Sequence, residues 1–129
     1  MTTIFLLFNH KLTPSQKEDA HTTLNIKRIA NPSKDIRDLW SQIPADLGNL
    51  FTFLTPVRQW LEKDAKTGDF LLVQGDFGAT FLMVEFALRN HLRPVYSTTT
   101  RISVEKKLEN GTITIEHNFC HVRYREYGH

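Results

Sequence analysis

Two short polar segments carry the residues best suited to binding or cleaving a phosphate-containing ligand. Asn9, His10 and Lys11 follow the apolar run Ile4–Phe8, and the glycine-containing loop Gln74–Thr80 follows another apolar run. Glycines permit tight turns, and a helix that begins after them offers free backbone N–H groups to an anion. Histidine side chains ordinarily titrate near neutrality, so His10 could act as a general acid or a hydrogen-bond donor, and Lys11 could offset phosphate charge.

Each of these segments also has a plainer interpretation. The loop matches neither the three-glycine dinucleotide pattern nor the phosphate-binding loop that ends in Lys-Ser/Thr, so its glycines could serve only to bend the chain. Its Asp-Phe-Gly triplet resembles that of protein kinases, but the other kinase motifs are missing and we treat the match as coincidence. An exposed histidine and an exposed lysine after a strand are also common surface features.

Two further segments could contribute to a site. The segment Thr98–Arg101 follows a predicted fourth strand, and its hydroxyls and guanidinium could bind phosphate or ribose oxygens, although threonines are also good strand formers. In the C-terminal strand, a period of two places His121, Arg123 and Arg125 on one face and Val122 and Tyr124 on the other. That pattern favours an ordinary solvated face.

The composition argues against several classes of protein. Cys120 is the only cysteine, so no internal disulfide or thiolate metal site can form, which fits a reducing cytoplasm. None of the six histidines lies in a zinc motif, no nucleophile elbow occurs, and we predict no metal or cofactor. The net charge of +2 is too low for a duplex-binding domain. The run Ile4–Phe8 is too short for a membrane span or a secretory signal.

The apolar pattern predicts alternating strands and helices. Continuous apolar runs at Ile4–Phe8 and at 70–74 are typical of strands covered on both faces. Thr13, Pro14 and Gln16 form a capping-box signature, which predicts a helix from there to about residue 24. The other predicted elements are a strand over 24–29, a helix over 35–42, a helix over 79–90, a strand over 95–98, and a hairpin that joins 102–108 to 112–119 through a type I′ turn at Asn110-Gly111. A further helical stretch is predicted from residue 47, which Thr55-Pro56 could restart or kink and Gly68 ends.

This order of elements predicts an α/β fold. We expect a Rossmann-like, mostly parallel sheet in the order 2-1-3-4, flanked by helices, with the C-terminal antiparallel hairpin at its edge. A chain of 129 residues fits a single domain over residues 1–129. Ligands of such sheets bind beyond the carboxyl ends of the strands, where the strand order reverses, here between the first and third strands. The segments that follow these two strands should therefore converge on one site.

Three stretches of the sequence stand out, Ile4–Thr13, Leu72–Thr80 and His121–Arg125. They resemble a small CRISPR-associated Csx protein family of type III systems. The likeness extends over nearly the whole chain. It implies a Rossmann-like fold related to the CARF sensors of cyclic oligoadenylates. It also implies a metal-independent ring nuclease that cleaves cyclic oligoadenylate, cyclic tetra-adenylate in particular, to linear products with a 2′,3′-cyclic phosphate and so switches off type III CRISPR antiviral signalling.

For the reaction that the resemblance implies, we assign roles to the candidate residues as hypotheses. His10 would donate a proton toward the leaving 5′-oxygen, Asp76 or Gln74 would orient the ribose, and Lys11 with the backbone amides around Gly78 would hold the phosphate. His10 and Asp76 are thus the predicted catalytic residues. The predicted ligand contacts are Asn9, Lys11, Gln74, Gly75, Phe77, Gly78, Ala79, Thr80, Thr98, Thr99, Thr100 and Arg101.

The symmetry of the implied ligand predicts a homodimer, because two copies related by a two-fold axis can present the same loops to both halves of a ring. The contact would come from the apolar helix 79–90 or from an apolar stripe made of Leu50, Leu54, Val57 and Leu61. Two other functions remain open. The chain could sequester cyclic oligoadenylate without cleaving it, or it could be a protein-interaction or regulatory subunit that binds no nucleotide.

Overall fold

The computed structural model describes residues 1–129 and contains five strands and four helices. The strands are β1 (Thr3–Leu7), β2 (Arg28–Ala30), β3 (Phe70–Val73), β4 (Arg93–Lys107) and β5 (Ile113–Glu126). The helices are α1 (Pro14–Thr23), α2 (Lys34–Ser41), α3 (Thr55–Asp64) and α4 (Phe77–Arg89). The fold is α/β, as predicted from the alternation of apolar patterns.

The five strands form one mixed sheet in the order β2-β1-β3-β4-β5. β1 pairs in parallel with β2 and with β3, and β3 pairs in parallel with β4. β5 is antiparallel to β4 and lies at the edge. The order predicted for the parallel strands is therefore confirmed. Leu7 is opposite Val73, so β1 and β3 end side by side at what we call the carboxyl edge of the sheet.

Helices cover both faces of the sheet because its central strands are apolar on both sides. Every residue of β1 and β3 is buried. On one face, Phe5, Leu7, Leu71 and Val73 pack against α2, α3 and α4. On the other face, the alternate residues of the same strands pack against α1 and Tyr124. The helix α1 begins with the predicted capping box, in which Thr13 and Gln16 exchange side chain to backbone hydrogen bonds.

Several predicted boundaries are wrong because the chain turns where propensity alone gives no signal. The second strand begins at Arg28 instead of residue 24, since Leu24 caps α1 and Asn25 has a φ of 57°. The stretch expected from residue 47 is helical only from Thr55, after a series of turns, so the restart predicted at Thr55-Pro56 is present and the helix before it is not.

The C-terminal hairpin also differs from the prediction. The strand expected over 95–98 and the first arm of the hairpin are one continuous strand, β4. The hairpin turn is centred where expected, but it is not type I′, because only Gly111 has a positive φ and Asn110 does not. Instead, Leu108 donates its backbone N–H to Thr112, and the Asn110 side chain accepts from the Thr112 N–H.

The stripe proposed as a dimer contact lies inside the molecule. Leu54, Val57 and Leu61 are buried in the chain's own core, and Leu50 packs against that core half-buried. They cannot also face a second copy, so this part of the dimer prediction is wrong. None of the four helices combines the length and the apolar character that crossing a membrane requires.

Candidate anion-binding cleft

Two adjoining clefts open at the carboxyl ends of β1 and β2. The first has a volume of about 270 Å³ and lies toward α2, and the second has a volume of about 440 Å³ and lies toward α1. They share Leu6, Lys11, Asn31, Pro32 and Arg37. We call the two together the cationic cleft. The first cleft is further lined by Phe8, Asn9, His10, Asp38 and Ser41, and the second by Leu12, Lys17 and Ile29.

The cationic cleft has an excess of positive charge that the protein does not neutralise. Lys11, Lys17 and Arg37 are exposed, and the side chains of all three make no salt bridge or hydrogen bond within the chain. The only acidic residue of the lining, Asp38, is paired with Lys34 at 2.7 Å. Cations grouped in a concave site without a protein counter-charge favour an anionic ligand.

The local fold places these cations on the first turns of two helices. The capping box at Thr13 starts α1, which puts Lys17 one turn into the helix. Ser33 caps α2 by accepting from the backbone N–H of Ile36, which puts Arg37 at the equivalent point of that helix. Lys11 lies in the connection between β1 and α1. The N-terminal end of each helix also carries the positive end of the helix dipole. The backbone and the side chains therefore both favour a negatively charged ligand in this region.

His10 is placed where it could reach a ligand. Its ring is exposed, packs edge-on against Phe8 with the ring centroids 5.3 Å apart, and has no hydrogen-bond partner in the chain. Both ring nitrogens are therefore free to contact a bound molecule. With Asn9 and Lys11, His10 forms the part of the predicted site that lies in the cationic cleft.

The Gln74–Thr80 loop starts beside the end of β1 but does not line the cationic cleft. The backbone N–H of Gln74 donates to the carbonyl of Leu7 at 3.0 Å. Trp40 of α2 packs against the start of the loop, where its indole Nε1 donates to the carbonyl of Gln74 at 3.0 Å. The two predicted segments thus share one edge of the sheet, while the cleft that holds His10 is completed by residues of β2 and α2.

Two polar side chains of this loop, those of Gln74 and Asp76, are engaged within the protein. The Asp76 carboxylate accepts from the backbone N–H of Ala79 at 3.0 Å and so caps α4 with a negative charge. The Gln74 side chain accepts from the backbone N–H of Ser97 at 2.9 Å. Thr80 has a buried hydroxyl oxygen with no hydrogen-bond partner, and Phe77 is 95% exposed. Because of the Asp76 charge, a phosphate at this helix start would meet repulsion as well as the helix dipole.

Gly75 is required by its contact with Trp40. A Cβ atom at residue 75 would lie 2.7 Å from the indole Nε1 and 2.9 Å from Cε2, and Trp40 is only 2% exposed, so the ring has little room to move. We expect Gly75→Ala to lower the free energy of unfolding by about 1–3 kcal/mol in chemical denaturation, as overpacked sites do. Gly48→Ala is the control, since nothing lies within 4 Å of its new methyl group. Equal stability of the two variants would contradict this account.

Thr98, Thr99, Thr100 and Arg101 are not part of the cationic cleft. Thr98 donates its hydroxyl to the carbonyl of Arg123 and accepts from the Arg123 N–H, at a shift in the register of β4 and β5. Thr99, Thr100 and Arg101 are exposed on the part of β4 beyond this shift. The structure does not bring this segment together with His10.

A buried polar network around His121 was missed by the sequence analysis. The His121 side chain is 3% exposed, its Nδ1 lies 2.6 Å from the Ser97 hydroxyl, and its Nε2 lies 2.7 Å from the Asp19 carboxylate. The solvated face predicted for His121 is wrong, because the register shift gives β5 one extra residue between the partners of Thr98 and Thr99. His121 therefore packs against Tyr124, on the side opposite to the one a period of two predicts.

Asp19 links this network to α1, and its ionisation should stabilise the fold. Burial alone would raise the pKa of Asp19, but hydrogen bonds from Thr23 and His121 hold it below the ordinary value of 3.8. Since the pKa is lower in the folded chain, the ionised group stabilises the fold above the ordinary aspartate range, and this contribution is lost as the pH falls through the lowered value.

We therefore expect Asp19→Asn to lower the free energy of unfolding by about 1–3 kcal/mol at pH 7, because it weakens the only carboxylate contact of a buried histidine. The difference in the free energy of unfolding between this variant and the wild type should shrink as the pH is lowered below the aspartate range, because Asp19 of the wild type is then protonated. Denaturant titrations at a series of pH values measure both effects. Asp46→Asn, at an exposed loop position, should change little at any pH. A loss that is the same at all pH values would show that the charge is not involved.

The structure offers no arrangement of three or more His, Cys, Asp or Glu side chains that could hold a metal ion. The residues that do converge are cations and amides on the connections that follow β1 and β2. In α/β sheets, small ligands bind in clefts at this carboxyl edge.

Comparison with known proteins places the chain in a family. It belongs to the Uncharacterized protein MJ1673 family, whose model matches residues 2–125. It is 44% identical over 127 residues to Uncharacterized protein MJ1673 of Methanocaldococcus jannaschii, and the alignment covers 98% of each chain. No solved structure matches the chain.

Proposed function

We propose that this chain is a ring nuclease that binds cyclic oligoadenylate, cyclic tetra-adenylate in particular, in the cationic cleft and opens it without a metal ion. One observation carries the binding part of the proposal: Lys11, Lys17 and Arg37 surround the cleft without a counter-charge. A cyclic oligoadenylate has one negative charge per phosphodiester, so it can satisfy several of these cations at once. The resemblance to the Csx proteins supports the choice of this ligand among polyanions.

The strand order supports a Rossmann-like, CARF-related fold as part of the same proposal. The order β2-β1-β3-β4 reverses between β1 and β3, and ligands of such sheets bind near that point. The cationic cleft lies one strand to the side of it, between the connections that follow β1 and β2. At the switch point itself, Trp40 packs against the start of the Gln74–Thr80 loop.

In the proposed reaction the ribose 2′-hydroxyl attacks the adjacent phosphorus, and the bond from phosphorus to the 5′-oxygen breaks. The 2′-proton passes to solvent, and His10 gives a proton to the leaving 5′-oxygen, so the products carry a 2′,3′-cyclic phosphate and a 5′-hydroxyl. Lys11 and Arg37 would hold the phosphoryl oxygens as negative charge builds on them. The Asp76 carboxylate already accepts from the backbone N–H of Ala79, and the Gln74 side chain accepts from that of Ser97. To orient the ribose, either side chain would have to bind it in addition to this partner.

The decisive experiment is to incubate the purified protein with cyclic tri-, tetra- and hexa-adenylate in the presence of a chelator and to resolve the products by chromatography. We expect linear products with a 2′,3′-cyclic phosphate from the tetra-adenylate. If the protein binds the ring and the intact ring is recovered after denaturation, the protein sequesters cyclic oligoadenylate and does not cleave it. No binding and no ligand-dependent rise in melting temperature would favour an interaction subunit. Activity that the chelator abolishes would overturn the metal-free mechanism.

A further inference from the structure

The hairpin formed by the distal parts of β4 and β5 projects from the body of the molecule. Every residue from 99 to 120 is exposed, and we call this segment the β-arm. Its two strands pair continuously from Thr99 opposite His121 to Lys107 opposite Ile113. Since β4 is parallel to β3, the β-arm extends beyond the carboxyl edge, where the cationic cleft opens. A two-stranded ribbon with both faces in water is marginally stable at best, so a partner is expected to cover it.

The β-arm has an apolar stripe on one face. Ile113, Ile115 and Phe119 are spaced by even numbers along β5, so their side chains lie on the same face, and they are 60%, 60% and 70% exposed. We call these three residues the β5 stripe. The β-arm as a whole, both faces included, holds six of the chain's thirteen exposed large apolar side chains, and clustered exposed apolar residues mark interaction sites.

The charges of the β-arm are balanced and suit contact with an identical surface. The β-arm contains three Lys or Arg residues and three Glu residues, so its formal net charge is zero. Two copies of it would therefore not repel each other through net charge. Lys107, Glu105 and Arg101 lie directly across from the β5 stripe on the same face. A patch that carries both signs around an apolar centre can be complementary to itself across a two-fold axis.

We propose that the β-arms of two copies of this chain pack face to face through the β5 stripe and form a homodimer. Only one face of the 22-residue β-arm takes part, so the interface is smaller than the roughly 20–30 residues that each partner gives to a standard one, and the dimer should form as the protein concentration is raised. The α4 surface also exposes three large apolar residues, Phe77, Phe81 and Leu88. It is the weaker candidate because α4 already packs on the core through its buried face, whereas the β-arm has no contact that covers it. The partner then stands beyond the carboxyl edge of the sheet, the edge at which the cleft also lies. That placement bears on ring binding only if the proposed function holds, whereas the dimer itself does not depend on it.

The test is the mass in solution, measured by sedimentation over a concentration series without any nucleotide. The wild type should reach twice the 15.0 kDa mass of the chain. The double variant Ile115→Lys/Phe119→Lys places charges on the β5 stripe and should weaken association by roughly 100-fold or more. The matched control Thr114→Lys/Asn118→Lys adds the same charges to the same strand on the opposite face and should remain a dimer.

Three outcomes would overturn the proposal. They are a wild type that is monomeric throughout, a stripe variant that dimerises as well as its control, and dissociation by Phe81→Lys but not by the stripe variant. Should the stripe variant fail to fold, a shortened chain with residues 103–117 replaced by Asn-Gly gives the same readout and is expected to be monomeric. The sedimentation test contains no nucleotide, so its result and the result of the cleavage assay are independent. Absence of the dimer would not contradict cleavage, and absence of cleavage would not contradict the dimer.

Discussion

His10→Ala is expected to slow single-turnover cleavage of cyclic tetra-adenylate by about 10²–10⁴-fold, the range for loss of a general acid. His10 lies in the cationic cleft with both ring nitrogens free, and its imidazole is the only one in the lining. Asp38 is held by Lys34, and the lysines and Arg37 are needed as cations. Ligand affinity should change little, because the charges that hold the phosphates remain.

A modified substrate separates proton donation from positioning. When the 5′-bridging oxygen of one phosphodiester is replaced by sulfur, the leaving thiolate needs no proton, so the variant should cleave that substrate nearly as fast as the wild type. His129→Ala is the control for a histidine that lies outside the cationic cleft. His10 is not the general acid if His10→Ala cleaves the normal substrate at the wild-type rate. The same conclusion follows if the variant loses as much rate on the sulfur substrate as on the normal one.

Features set by neighbouring residues could be predicted from the sequence. Thr13, Pro14 and Gln16 lie within one turn, and their capping box is present as expected. The apolar runs of β1 and β3 identified the central strands because each is buried on both faces. The strand order followed from short connections and the handedness of crossovers, which leave few alternatives. These predictions need no knowledge of distant contacts.

The parts that sequence reasoning missed depend on contacts between distant residues. Trp40 was not among the predicted site residues, yet its indole donates to the Gln74 carbonyl and packs against Gly75. Lys17 and Arg37 were not among them either. The signal that could have identified them is their position one turn after the capping residues of helices that follow adjacent parallel strands. His121 was misplaced because nothing in the local sequence marks the register shift.

Replacing either Lys11 or Arg37 by alanine is expected to weaken binding of cyclic tetra-adenylate by roughly 10- to 150-fold, the equivalent of losing a charge-assisted hydrogen bond. Both side chains are exposed and make no contact with other charged groups, so the fold should not be affected. Lys63→Ala is the matched control, because Lys63 is equally exposed but lies on α3, away from the cleft.

The salt dependence of binding distinguishes direct phosphate contact from a general effect of net charge. Each lost contact should reduce the slope of log affinity against log salt concentration by about 0.7, as for single-stranded nucleic acids, because one fewer counterion is released. Lys63→Ala lowers the net charge by the same amount as Lys11→Ala or Arg37→Ala, so it should leave this slope unchanged. If all three variants lost affinity and slope equally, the ligand would be responding to the whole protein's charge and the cationic cleft would not be its site. Binding isotherms at several salt concentrations decide between these results, since only cations in contact with phosphate displace its counterions.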